Sequence, residues 1–262
     1  MGNKTRTIVS YRCRMSVPTS LLRSLRHAIS GLPGGDQPVL SFGLPSLDAA
    51  LGGGLASGLH EISPRTAIHF GAATGLALAL AIRSNAEVLW IQQDFAGLEG
   101  GGLYGCGVDL FGLSLRRLLL LRVPRALDVL WAMEEALKCR ALASVVAELT
   151  EDGAAADLTI TRRLSLAAQH NAFGFLLRHR PSRHPSAALT RFEVESAPAP
   201  PDAFGGLGRT AFVLNLVKNR RGPTGRWIVQ WDHHERAFSP LSVGVAAAAF
   251  DRSDRAPLRR AG

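Results

Sequence analysis

The sequence predicts an α/β fold: a mostly parallel central sheet flanked by helices and finished by antiparallel strands. Two observations carry this. From residue 58 to residue 177, short apolar runs alternate with helical patterns, the signature of βαβ units and a sheet covered on both faces. Beyond residue 190 the pattern changes to strand-like alternation and a hairpin. In order, Gly58–Ile62 is a short strand and Gly71–Arg83 an Ala/Leu-rich helix. Glu87–Ile91 (EVLWI) and Arg117–Val123 (RLLLLRV) are strands, the second closed by Pro124. Arg125–Cys139 is a helix with Leu127, Leu130, Trp131, Glu134 and Leu137 spaced around it. Ser144–Ala147 and Phe173–Leu177 are strands that bracket a helix at Asp157–His170. Arg191–Glu195 alternates as a strand, and Thr210–Val217 and Arg226–Trp231 form a hairpin turning at Gly222-Pro-Thr-Gly225.

Composition bounds the class. The 262 residues are 47% hydrophobic and 19% charged, as expected of a chain that buries a core. We divide them into an N-terminal tail with a short helix (1–37), one domain (38–242) and a basic C-terminal tail (243–262). In the first segment Leu21, Leu22, Leu25 and Ile29 recur at helical spacing over Thr19–Ser30, a stripe suited to docking a partner or folding back on the core. Translation starting at Met15 instead of Met1 would leave residues 1–14 as excess. No apolar run approaches the roughly 20 residues of a membrane span, and nothing apolar follows the basic N-terminus as in a secretory signal. Three cysteines without CxxC spacing fit neither a disulfide framework nor a zinc site, so the cytoplasm is the expected compartment. The net charge of +9, almost all arginine, suits a nucleic-acid partner.

Several constellations stay open. His233-His234 would point to opposite sides of a strand, which suits a surface pair better than a metal site. Glu134-Glu135 is expected to be a solvated helix face. Trp227 and Trp231 could stack on bases or pack the sheet. Lys218, Arg220 and Arg221 form the best cationic cluster, either a phosphate-binding edge or a solvated hairpin. There is no GxSxG, HExxH or CxxC motif.

Leu40-Ser-Phe-Gly-Leu-Pro-Ser-Leu-Asp-Ala-Ala-Leu-Gly-Gly-Gly-Leu55, followed by Gly58-Leu-His-Glu-Ile62, resembles the entry segment of RecA-family recombinases. The match falls on Gly43, Leu47, Asp48, Leu51, Gly52, Gly53, Gly54, Leu55, Glu61 and Ile62. It continues in register. Asp94 falls where the family has a water-activating acid, and Tyr104…Gly107-Val-Asp109 resembles the following segment. Glu148 stands in the Walker B position, Arg178-His179 in that of the switch pair, and Val217-Lys-Asn-Arg-Arg-Gly222 resembles the basic hairpin. Residues 38–232 can be laid along a RecA-like core in this way.

The departures shape the functional expectation. A phosphate loop needs glycines to free backbone amides, a lysine for the β/γ-phosphates and a hydroxyl for Mg²⁺. Here the stretch reads Ile62-Ser-Pro-Arg-Thr-Ala-Ile-His-Phe-Gly-Ala-Ala-Thr-Gly75, and no lysine occurs between Lys4 and Lys138. Gly71, Thr74 and Gly75 could offer amides to an anion or be close-packing residues of a buried helix. The loop after the switch position is cut to about His179–Ser186. With its leading Leu/Arg helix and the closing Arg226-Trp-Ile-Val-Gln-Trp-Asp232, the chain looks like a member of the ImuA family of damage-inducible mutagenesis proteins.

That resemblance implies a non-catalytic accessory role in SOS-induced translesion synthesis. It also implies contacts with an ImuB-like Y-family polymerase relative and an error-prone DNA polymerase. RecA and weak, non-specific DNA contacts are further candidates; no membrane contact and no cofactor are expected, weak ATP/Mg binding being left open. The degenerate nucleotide-pocket positions are then Gly71, Thr74, Gly75, Asp94, Glu148 and His179. Two alternatives stand beside this role. One is an ATPase in which Arg65 replaces the lysine, Asp94 positions water and Glu148 orders Mg²⁺. The other is a general DNA-binding scaffold.

Overall fold

The computed structural model describes residues 38–241 except 85, 95–100, 151–155, 169–171, 202–205 and 207. The predicted helix at Thr19–Ser30, with Leu21, Leu22, Leu25 and Ile29, and the basic C-terminal tail lie outside the described residues.

The entry motif folds as a small clasp. Strand β1 (Val39–Leu40) pairs antiparallel with β2 (Leu55–Ala56), and α1 (Pro45–Ala50) lies between them. Asp48 organises the turn before it: its carboxylate accepts from the Ser41 hydroxyl at 2.8 Å and from the amides of Phe42, Gly43 and Leu44 at 2.8, 3.0 and 3.2 Å. Gly54 is required by geometry. Its φ is +133° and a Cβ there would meet Val39 Cγ1 at 2.8 Å and the Leu40 carbonyl oxygen at 3.0 Å.

The main sheet has nine strands: β3 (Gly58–Pro64), β4 (Glu87–Gln93), β5 (Leu118–Val123), β6 (Leu142–Leu149), β7 (Phe173–Arg178), β8 (Thr190–Ala197), β9 (Thr210–Asn219), β10 (Gly225–Asp232) and β11 (Ala237–Pro240). Their order is β11-β10-β9-β8-β3-β7-β6-β4-β5. The strands from β8 to β5 run parallel, and β9, β10 and β11 complete the sheet with antiparallel pairings. This is the mostly parallel, antiparallel-finished sheet that the sequence predicts, and it agrees with a RecA-like core.

Helix α2 (Phe70–Arg83) and α3 (Gly105–Phe111) cover one face, within the larger core that holds Trp90, Phe175, Phe192, Phe212 and Trp231. Helices α4 (Ala126–Leu137) and α5 (Leu158–Ala167) cover the other. Helix α2 needs no polar face because eight of its residues, from Ala73 to Ile82, are buried. Asp157 caps α5, its side chain accepting from the Ile160 amide at 2.8 Å.

The structure corrects details of the sequence reading. Strand β3 runs on to Pro64, and Leu115–Arg117 form a 3₁₀ turn ahead of β5, which starts at Leu118. His233 and His234 lie in the turn between β10 and β11 and not on a strand, because Asp232 caps that turn by accepting from the amides of His234 and Glu235. Glu134 is not simply solvated: Arg163 on α5 and Lys138 bridge it at 2.6 and 3.3 Å. The small β1–β2 sheet, α1, α3 and β11 are too short to register as periodic patterns.

Candidate functional site

The carboxyl ends of parallel strands are where such folds place their chemistry. Here β3, β4, β6 and β7 bring together Pro64, Gln92, Glu148, Arg178 and the residue after it, His179. Glu148 is 3% exposed and is fully engaged by neighbours. It accepts from Trp90 Nε1 at 3.3 Å and Gln92 Nε2 at 3.1 Å, and it pairs with His179 Nε2 at 2.7 Å. Phe70, the first residue of α2, stacks on the His179 ring with centroids 3.8 Å apart. Next to this group Thr150 donates to Gln93 Oε1 at 2.8 Å. Asp94 is exposed, one residue past β4.

The β3–α2 connection is short. Five residues separate Pro64 from Phe70, and three of them, Ala67–His69, form a 3₁₀ turn. The connection is tied sideways onto β8. The Arg65 amide donates to the Val194 carbonyl at 2.9 Å, and its guanidinium bridges Glu195 at 3.0 Å. His69 Nδ1 meets Ser196 Oγ at 2.7 Å and accepts from the Ser196 amide at 3.2 Å.

Gly71 is exposed on the first turn of α2. Thr74 donates to the Phe70 carbonyl at 3.1 Å, an in-helix bond. Gly75 faces the Phe212 ring, which a Cβ would meet at 3.2 Å. The three candidate pocket positions on α2 therefore sit within the helix, with Phe70 ahead of them over His179. Arg65 is drawn toward Glu195 and makes no contact with Glu148.

A second polar group was missed by sequence reasoning. Glu61, in the middle of β3 and 1% exposed, is bridged by Arg178 on β7 at 2.9 Å and Arg191 on β8 at 2.6 Å. Arg191 also donates to the carbonyls of Ser182 and His184, both at 2.8 Å. Burial alone would raise the Glu61 carboxyl, but the two guanidiniums outweigh it and hold the group below its ordinary value. The signal was present as an acid in a buried strand and an arginine closing the apolar run FGFLLR. Only pairing in three dimensions shows that they meet.

The basic hairpin is partly committed. Lys218 Nζ donates to the Ser186 carbonyl at 2.5 Å, and its pKa is lowered by burial and by nearby Arg220. Asn219 holds the turn to α1 by donating to the Ala50 carbonyl at 2.8 Å. Arg220 and Arg221 are exposed. Of the two tryptophans, Trp231 is buried and donates to the Phe111 carbonyl at 3.1 Å, while Trp227 donates to Ser46 Oγ at the same distance.

Among the described residues, no group of three His, Cys, Asp or Glu is arranged to hold a metal ion. No helix among them is long and apolar enough to cross a membrane.

No family model matches the chain. It is similar to Protein ImuA of two strains of Caulobacter vibrioides, with 35% identity over 239 residues, covering 81% of this chain and 93% of each relative. With that identity over nearly the whole relative, and with the RecA-like sheet in place, the chain belongs to the ImuA family.

Proposed function

We propose that this chain is a non-catalytic accessory protein of damage-induced, SOS-type translesion DNA synthesis and mutagenesis. Its family supports the process. The state of Glu148 supports the absence of catalysis. In the RecA resemblance this acid orders Mg²⁺, yet here His179, Trp90 and Gln92 take up its oxygens and Phe70 lies over His179. A short loop without lysine adds to this, because its only basic residues are Arg65, paired with Glu195, and His69, bonded to Ser196, which leaves no lysine to neutralise β/γ-phosphates.

The protein then works through contacts with error-prone polymerase components, an ImuB-like partner first and RecA as a further candidate, in the cytoplasm. The domain of residues 38–242 and the flanking segments 1–37 and 243–262 are then the parts of the chain available for those contacts. The stripe Leu21, Leu22, Leu25 and Ile29 is one candidate contact. The exposed Arg220 and Arg221 give weak, salt-sensitive DNA binding at most.

Titration calorimetry with Mg-ATP tests the reading. The expected dissociation constant is weaker than about 1 mM. Micromolar affinity that disappears in Glu148→Ala would overturn it and favour the ATPase. A folded Leu22→Asp, Leu25→Asp protein that still binds its partner would remove the helix from the contact and leave the role intact.

A further inference from the structure

The chain between β7 and β8, residues 179–189, has no regular secondary structure, yet four residues of the surrounding elements hold it. Arg191 on β8 donates to the carbonyls of Ser182 and His184, while its Nε is fixed by the buried Glu61. Lys218 on β9 donates to the Ser186 carbonyl, and the Ala187 amide donates to Thr161 Oγ1 on α5 at 3.0 Å. The Leu189 carbonyl accepts from the Arg220 amide at 2.9 Å. Ser182, Ser186, Ala187 and Ala188 are buried. Arg180, Pro181, Arg183, His184 and Pro185 are left exposed. The two prolines fix φ at their own positions, and a loop already ordered loses less conformational freedom when it binds.

The exposed charge on this face is unanswered. Arg180 and Arg183 make no ion pair among the described residues, and neither do Arg162, beside Thr161 on α5, and Arg220, at the far end of the loop. Glu61, which Arg191 contacts, is buried and already bridged twice. Asp157 is taken up as the cap of α5.

The sign of the charge chooses among occupants. The flanking segments of this chain are basic themselves: residues 1–37 hold six lysines and arginines against one acid, and residues 243–262 hold four arginines against two acids. They do not complement this face, and a second copy would bring like charges together. A nucleic acid would match the sign. Single strands, however, are held by stacking on aromatic rings, and the exposed residues of the loop include no Phe, Tyr or Trp. A duplex is held by about 6–10 phosphate contacts, and this face supplies four unpaired arginines.

We infer that residues 180–185 form a preformed basic platform for an acidic segment of a partner protein. Carboxylates of that segment pair with the guanidinium forks of Arg180 and Arg183. Arg191 is the positioning residue: anchored by Glu61, it sets the loop from below. This rests on the reading of the chain as a docking protein and names one surface and one chemistry for it.

The test uses the full chain at about 0.15 M salt, with a fluorescent peptide alternating Glu and Ser, the same peptide with Lys for Glu, and single-stranded and duplex oligonucleotides. The Glu/Ser peptide is expected to bind and the Lys/Ser peptide is not. Arg180→Glu with Arg183→Glu should weaken the Glu/Ser peptide by at least about tenfold, with unchanged circular dichroism. Arg116→Glu with Arg226→Glu makes the same change of charge on exposed residues of other elements and should weaken it by less than about twofold. Arg191→Lys keeps the charge but loses the fork; it should weaken the peptide by about fivefold and speed amide hydrogen exchange across residues 180–189. Lys218→Gln should move exchange in the same direction and serves if Arg191→Lys does not fold.

An equal loss in the Arg116, Arg226 pair would reduce the effect to bulk charge and overturn the inference. So would an oligonucleotide that binds through Arg180 and Arg183 and displaces the peptide. Unchanged exchange in both Arg191→Lys and Lys218→Gln would remove the positioning role. Tight Mg-ATP binding beside a peptide site that Arg180 and Arg183 control would sink the accessory reading and leave the platform standing. Weak Mg-ATP binding with no binding of the Glu/Ser peptide would do the reverse.

Discussion

At the scale of single residues, burial decides which charges matter. Glu61 and Arg65 both sit in ion pairs of about 3 Å, but only the first pair is out of water. Removing one member of a buried group leaves the others desolvated and unpaired, at about 3–5 kcal/mol. An exposed pair contributes less than about 1 kcal/mol. Glu61→Ala should therefore lower the unfolding free energy by about 3–5 kcal/mol in urea titration, since Arg178 and Arg191 stay behind. Arg65→Ala, whose side chain is 55% exposed, should cost less than about 1 kcal/mol. Equal effects of the two would show that the Glu61 group is solvated. Asp48 shows what the entry motif is for: its carboxylate gathers four donors of the Ser41–Leu44 turn and so shapes the start of the domain.

At the scale of elements, α2 shows how far periodicity can be read. An Ala/Leu-rich run was legible as a helix because all its sides are buried. Its start was legible to within one residue, Gly71 against Phe70, but the contact at its first turn was not, because Phe70 lies on His179, a residue 109 positions away in sequence. The same helix separates two readings of its glycines. Gly71 is exposed, and a Cβ added there would have nothing within 4 Å, while one at Gly75 would lie 3.2 Å from Phe212. Gly71→Ala should be neutral or stabilise by up to about 1 kcal/mol through helix propensity. Gly75→Leu should destabilise by about 1–3 kcal/mol through overpacking. Thermal unfolding of the two variants checks this, and a Gly75→Leu protein as stable as the wild type would mean that α2 can slide away from β9. The strands were legible from apolar runs, but sheet order was not, since the central place of β3 between β7 and β8 depends on crossovers that leave no local mark.

At the scale of the whole molecule, the fold was legible because the motif of residues 40–62 and the strand–helix alternation agree. The arrangement around Glu148 and Glu61 was not, because it joins residues from several strands that local patterns treat separately. Those buried groups give the molecule a pH dependence with a definite sign. His60, also on β3, is buried between Thr190 Oγ1 at 2.8 Å and the Ala56 carbonyl at 2.9 Å. A carbonyl can only accept, so Nε2 carries a proton. Burial lowers its pKa from 6.5 to about 4. Between those values the unfolded chain binds a proton that the folded protein does not, so stability falls as pH drops below 6.5 and levels off below about 4. The full loss is about 3 kcal/mol, with about 2 kcal/mol of it reached by about pH 5. Glu61 acts in the same direction at lower pH. Its carboxylate is held below 4.5, so its contribution is present above that value and is lost as the folded protein takes up the proton. Urea midpoints should hence fall between about pH 7.5 and about pH 5, and His60→Gln, which keeps an amide donor but does not titrate, should flatten that fall. A slope unchanged in His60→Gln would show that the acid sensitivity comes from elsewhere, with His233, whose pKa is also lowered by burial, as the next group to replace.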